Sequence, residues 1–191
     1  MKSLKGSKTE QNLLKAFAGE SQARNRYTYF ASQARKEGYH QIEALFLETA
    51  ENEKEHAKRF FKFLEGGMVE ITASYPAGII GTTAENLAAS AAGEHEEWTL
   101  LYPGAAEVAK KEGFPAVAAA FLMIARVEKE HEARYLALLA NVQGGKVFQK
   151  DAPVRWKCAN CGYIHEGTEP PAKCPACEHA REYFEVAAAN W

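Results

Sequence analysis

Two stretches of this chain repeat one another, and the repeat limits its fold more than any other feature. Leu47 to Gly67 holds Glu53-Lys54-Glu55-His56, then Arg59, Phe60, Leu64 and Gly66-Gly67; Leu122 to Gly145 holds Glu128-Lys129-Glu130-His131, then Arg134, Tyr135, Leu139 and Gly144-Gly145. Upstream, Ala18-Gly19-Glu20 is matched by Ala92-Gly93-Glu94. From about residue 8 to residue 143 the chain is rich in Ala, Leu, Glu, Lys, Arg and Gln, with Gly and Pro gathered where helices would end. A helix hairpin made twice accounts for both observations, and two such hairpins pack as a four-helix bundle.

The spacing predicts a first helix from about Thr9 to Lys36, ended at Gly38, and a second from His40 to Glu65, stopped by Gly66-Gly67. Met68 to Gly81, with Pro76, Gly78 and Gly81, reads as a long extended crossover joining the two copies. A third helix is expected from near Thr82-Thr83 to about Lys111, kinked at Pro103-Gly104. The fourth starts after Gly113-Phe114-Pro115 and ends before Gly144-Gly145.

Helix positions three apart share a face, so Glu53 with His56, and Glu128 with His131, can each reach one metal ion. A single Glu-x-x-His carries little weight, because most helical Glu and His are solvated. Two of them, each paired with one Glu from a preceding helix, form the set by which such bundles hold two iron or manganese ions. Glu20 and Glu94 fill the remaining places, and the site should be binuclear. Glu97 breaks the repeat, since the matching place in the first half is Ala23. It is either an exposed acid beside Glu96 or a seventh ligand able to exchange with His56 on oxidation. Tyr27 and Tyr102, about two turns beyond Glu20 and Glu94, either support the ligands through their hydroxyls or are packing tyrosines.

After Gly145 the composition changes. All four cysteines fall in Cys158-Ala-Asn-Cys161 and Cys174-Pro-Ala-Cys177, two knuckles whose thiolates can close around one ion tetrahedrally. Zinc and iron both accept that geometry; zinc would make the module structural, iron a one-electron carrier. Trp156, Tyr163, Phe184 and Trp191 offer the aromatic core that so small a fold needs beside its metal. With 191 residues, the chain is expected to divide into a bundle over residues 1–146 and a loop-rich module over residues 147–191.

A net charge of -2, with acids and bases interspersed, leaves no basic footprint for nucleic acid and no polybasic segment for a membrane. No apolar run could span a bilayer. The N-terminus begins with basic residues, but Thr9-Glu10-Gln11-Asn12 stands where a secretory signal needs its apolar stretch, so a cytoplasmic location is expected.

Taken in order, Glu20, Glu53, His56, Glu94, Glu97, Glu128 and His131, followed by Cys158, Cys161, Cys174 and Cys177, make nearly the whole chain resemble the rubrerythrins. That resemblance implies a mainly α protein, a ferritin-like di-iron four-helix bundle with a C-terminal rubredoxin-like domain. It implies a cytoplasmic non-haem peroxidase reducing hydrogen peroxide to water, with electrons from NADH through a separate reductase or rubredoxin. Three Fe per chain are implied, with Zn or Mn as substitutes, Glu53 and Glu128 bridging the di-iron pair, and Glu97 as the extra ligand associated with iron movement toward His56 on reduction. A head-to-tail homodimer is also implied, with the thiolate module of one chain near the carboxylates of the other. The principal rival is a ferritin-like ferroxidase or iron-handling protein, against which the appended thiolate module argues. Two more distant rivals are an oxygenase with an apolar substrate pocket and a zinc-ribbon interaction protein whose bundle is metal-free.

Overall fold

The computed structural model describes residues 2–190. Helix α1 spans Lys8–Lys36, α2 His40–Phe61, α3 Thr83–Glu96, α4 Tyr102–Lys111 and α5 Pro115–Gln143. Local chemistry sets the ends. Ser7 caps α1 by accepting from the Glu10 N–H at 3.0 Å, and Gly38, at φ +82°, turns the chain into α2. Thr82 and Glu85 form a capping box at α3, and Pro115 opens α5 where its missing donor costs nothing.

Helices α1 and α2 pack as one hairpin and α3, α4 and α5 as the other, giving a ferritin-like four-helix bundle. The crossover over residues 65–82 has no regular structure, as expected. Two expectations need correction. Helix α2 ends at Phe61 rather than Glu65, because Phe63 and Leu64 tighten into a turn, donating to the carbonyls of Phe60 and Phe61, and pack against the core. The third helix is not one rod kinked at Pro103: five residues, Glu97–Leu101, wind as a π turn between α3 and α4. The break therefore begins ahead of Pro103, which sits in the first turn of α4.

Two apolar clusters fill the bundle. One gathers Leu13, Phe60, Tyr102 and Phe121; the other gathers Tyr27, Phe30, Phe46 and Tyr135. The buried polar side chains include Glu20, Glu53, Glu94, Glu128 and His131. Apart from His131 these are carboxylates, groups that apolar interiors exclude unless something compensates their charge.

The C-terminal unit is a three-stranded antiparallel sheet of β1 (Val154–Cys158), β2 (Ile164–Gly167) and β3 (Phe184–Val186), in the order β2-β1-β3. Trp156, Phe184 and the sulfurs of Cys158 and Cys174 form its buried centre, with Tyr163 packed against it; Trp191 lies outside the described residues. The unit sits on the α1–α2 turn, where the ring of His40 meets that of Tyr183 at 4.1 Å and Tyr39 stacks on Phe148. No described helix is long and apolar enough to cross a membrane.

Candidate metal centres

The side chains named from the repeat converge. Glu20 comes from α1, Glu53 and His56 from α2, Glu94 from α3, and Glu128 and His131 from α5. They form two overlapping groups, Glu20, Glu53, His56, Glu128 and Glu53, Glu94, Glu128, His131, each with one ligand atom per residue inside 4.8 Å. Glu53 and Glu128 belong to both.

The distances repeat the pseudo-twofold relation of the sequence. His56 Nδ1 lies 2.9 Å from Glu53 Oε2, 2.9 Å from Glu128 Oε1 and 3.8 Å from Glu20 Oε2. His131 Nδ1 lies 2.8 Å from Glu128 Oε2, 3.2 Å from Glu53 Oε1 and 3.9 Å from Glu94 Oε2. One ring nitrogen carries at most one proton, so neither imidazole can satisfy the carboxylates crowding it. Glu20 Oε2, Glu53 Oε1, Glu94 Oε2, both Glu128 oxygens and His131 Nδ1 are accordingly buried without a hydrogen-bond partner. Lone pairs aimed at two shared points, with too few protons between them, fit a pair of divalent cations.

Titration behaviour carries the same message. Burial, with repulsion from Glu128 and Glu53, holds the Glu20 carboxyl far above the usual range. Burial raises Glu94 to about 8, helped by the charges of Glu53 and Glu128. Glu53 goes the other way, to about 2, because hydrogen bonding to His131 and His56 outweighs burial. His131 rises to about 11, since Glu128, Glu53 and Glu94 favour its cation more than burial disfavours it. Without added positive charge the cage cannot hold all its carboxylates ionised.

The two tyrosines cross the bundle. Tyr27 Oη on α1 donates to Glu94 Oε1 on α3 at 2.5 Å, and Tyr102 Oη at the start of α4 donates to Glu20 Oε1 on α1. Each hydroxyl therefore fixes the terminal carboxylate of the opposite hairpin, a cross-pairing that spacing along one helix cannot display. Glu97 is placed differently from the other acids. It opens the π turn, is half-buried, and belongs to neither four-residue group. Burial, with repulsion from Glu20, Glu94 and Glu128, raises its pKa.

Two features went unread in the sequence. Glu132, the residue after His131, accepts from Trp98 Nε1 in the π turn and faces His95 Nδ1 at 3.0 Å, tying that turn to α5. The π turn itself had a signal: Tyr27 follows Glu20 by seven residues (27 − 20), Tyr102 follows Glu94 by eight (102 − 94), yet both hydroxyls make equivalent bonds. One extra residue in a repeat that keeps its geometry must be absorbed by a widened turn.

In the C-terminal unit the four sulfurs lie within 4.8 Å of one another, with Cys158 Sγ 3.8 Å from Cys177 Sγ and Cys161 Sγ 3.6 Å from Cys174 Sγ. All four are free thiols. A hydrogen bond from the His179 backbone N–H holds Cys177 down at about 6. At Cys161 the Tyr163 N–H acts likewise, but the sulfurs of Cys177, Cys174 and Cys158 push that thiol up to about 12. Four thiolates cannot coexist there without a central cation, and a tetrahedral ion fits.

Comparison with known proteins agrees. The family model described as Rubrerythrin matches residues 11–139, and that described as Rubrerythrin, rubredoxin-like domain matches residues 156–185. The chain is similar to rubrerythrin of Porphyromonas gingivalis, at 65% identity over 190 residues, covering 100% of this chain and 95% of that protein. Rubrerythrin of Nitratidesulfovibrio vulgaris is 56% identical, with 100% of both chains covered. Among solved structures, nigerythrin in its fully reduced, all-ferrous state superposes with a TM-score of 0.63 at 32% identity, covering 96% of this chain and 91% of that one.

Proposed function

The chain belongs to the rubrerythrin family, and from that premise we propose that it reduces hydrogen peroxide to water at the carboxylate cage, with electrons passed through the four-cysteine module. The observation that carries this reading is the presence, in one chain, of two carboxylate–imidazole groups sharing Glu53 and Glu128 and a separate four-thiolate group. A store of iron has no need of the second.

On this reading Glu20, His56, Glu53 and Glu128 would hold one iron, Glu94, His131, Glu53 and Glu128 the other, and the four cysteines a third. When bound, the di-iron pair supplies two electrons and polarises the O–O bond. The chain's own groups set the stage. Tyr102 and Tyr27 hold Glu20 and Glu94 in place by donating to one oxygen of each, leaving the other for a metal. The apolar clusters above and below exclude bulk water, which strengthens every charge interaction in the cage. Glu97, which lines the cavity beside the cage, would be a further carboxylate ligand in the oxidised state, in exchange with His56.

Glu53 lies thirteen positions along α2 from His40, which the thiolate unit touches, about 20 Å of helix. Electron transfer over such a span within one chain is slow. A head-to-tail homodimer, with the module of residues 147–191 set against the bundle of residues 1–146 of a second copy, shortens it. The donor is a reductase or rubredoxin drawing on NADH, and the setting is cytoplasmic.

The test is anaerobic metal analysis followed by stopped-flow mixing of the reduced protein with hydrogen peroxide or dioxygen at equal concentration. Three irons per chain and faster reoxidation by peroxide are expected. Cys174→Ser should abolish turnover with an external donor while the chemically reduced cage still consumes one equivalent. Equal or faster reaction with dioxygen, with growth of an iron core in a many-subunit cage, would establish the ferroxidase reading instead.

A further inference from the structure

A cavity of about 520 Å³ opens in the groove between α1 and the π turn with α4, roofed by residues 72–76 of the crossover. Tyr75 pins that roof by donating to the Lys15 carbonyl at 2.7 Å. One wall is apolar, from Leu100, Leu101, Ala105, Val108 and Phe121, while the α1 side brings the polar Asn12, Lys15, Gln22 and Arg26. The cavity's other lining residues include Glu97 and Tyr102, and the Tyr102 hydroxyl donates to Glu20 of the cage. The cavity thus abuts the candidate di-iron centre.

Its size is out of proportion to hydrogen peroxide. A molecule scarcely larger than water occupies on the order of 30 Å³, and a narrow wet channel would serve it. A space of about 520 Å³ falls within the usual range for pockets that hold a small organic molecule. Val108 follows Tyr102 by six residues, about 9 Å along α4, the length of a medium alkyl chain.

The geometry points to a second substrate class: organic hydroperoxides, ROOH, whose apolar R group lies along Leu100, Leu101 and Val108 while the O–O group faces Tyr102 and Glu97. This rests on the peroxide-reductase reading and extends it to the substrate. In the step the O–O bond breaks and both oxygens are reduced, using two electrons delivered singly from an external reductant through the thiolate module. The two oxygens take two protons from water, so that ROOH + 2 e⁻ + 2 H⁺ gives ROH + H₂O.

The experiment uses the full-length, iron-loaded protein with a chemical reductant and compares hydrogen peroxide with ethyl, butyl and hexyl hydroperoxide. The expected result is a kcat/KM that rises with chain length by about two- to fourfold per methylene, the gain from burying each one. A binding readout accompanies it: 1-hexanol, the product analogue, should shift the methyl NMR signals of Leu100, Leu101 and Val108 in the full-length zinc-loaded protein. Those of Leu47 and Leu136, exposed elsewhere, should stay still. Val108→Trp should lower the hexyl-to-hydrogen peroxide ratio by about tenfold or more by filling the cavity; should it fold poorly, Ala105→Leu reads the same effect. Hydrogen peroxide turnover with no rise along the series and no shift of those methyls overturns this inference and leaves the peroxidase reading standing. No turnover with any peroxide overturns both.

Discussion

Replacing Tyr102 by Phe removes one oxygen and little volume, so its effect isolates the hydrogen bond to Glu20. In the metal-free protein burial favours the neutral form of the Glu20 carboxyl, and a hydrogen bond between neutral groups contributes about 0.5–1.5 kcal/mol. Metal binding ionises the carboxylate, and the same bond, now to a charged acceptor, contributes about 1.5–3 kcal/mol. The loaded state therefore loses about 1–1.5 kcal/mol more than the empty one. By linkage that is about a tenfold weaker affinity for the ion beside Glu20 and His56, the lower end of what outer-shell partners usually cost. Tyr27→Phe should do the same at Glu94, on the His131 side. Anaerobic titration of the metal-free variants with ferrous ion against a competing chelator measures this directly. Affinities within a factor of about two of the unaltered protein, for both variants, would mean that the tyrosines are packing groups and the linkage reasoning is wrong.

Two further outcomes follow from the same geometry. Glu94 and His131, at about 8 and about 11, both bind protons more tightly folded than unfolded, so the metal-free protein should lose stability as pH rises from 6 to 8. Metal displaces those protons, so thermal unfolding of the loaded protein should not fall over that interval. Phe60→Ala empties a fully buried position whose ring meets Phe121 at 4.8 Å and Tyr102 at 5.5 Å. It should cost about 3–5 kcal/mol in urea unfolding and loosen Tyr102 on Glu20.

What the sequence made legible was local. The cysteine knuckles and the Glu-x-x-His pairs depend on spacings of three residues, which a short helix or loop translates directly into geometry. Helix ends at Lys36 and Gln143 were legible because Gly38 and Gly144-Gly145 follow them. The end of α2 was not, since Phe63 and Leu64 leave the helix to fill the core, a tertiary preference that overrides helical propensity. The tyrosine bonds join residues 67 and 82 positions apart and cannot be drawn from periodicity. Nor can the cavity, which exists only where the crossover lies over the α1–α4 groove.

The π turn explains why a duplicated structure carries an unduplicated acid. In a regular helix Glu97 would take the place that Ala23 takes in the first hairpin, a small buried position against the second apolar cluster. A carboxylate there would be costly. The additional residue between Glu94 and Tyr102 widens the helix at Glu97–Leu101, and Tyr102 still reaches Glu20 with the turn in place. Glu97 is thereby released from the packing that constrains Ala23 and lines a cavity that abuts the cage. Symmetry makes the two carboxylate–imidazole groups alike, through Glu53 and Glu128, and the insertion breaks that likeness by placing Glu97 between the cage and the cavity. Trp98 and His95, fastened to Glu132, keep the widened turn on α5, so the opening is a fixed part of the fold.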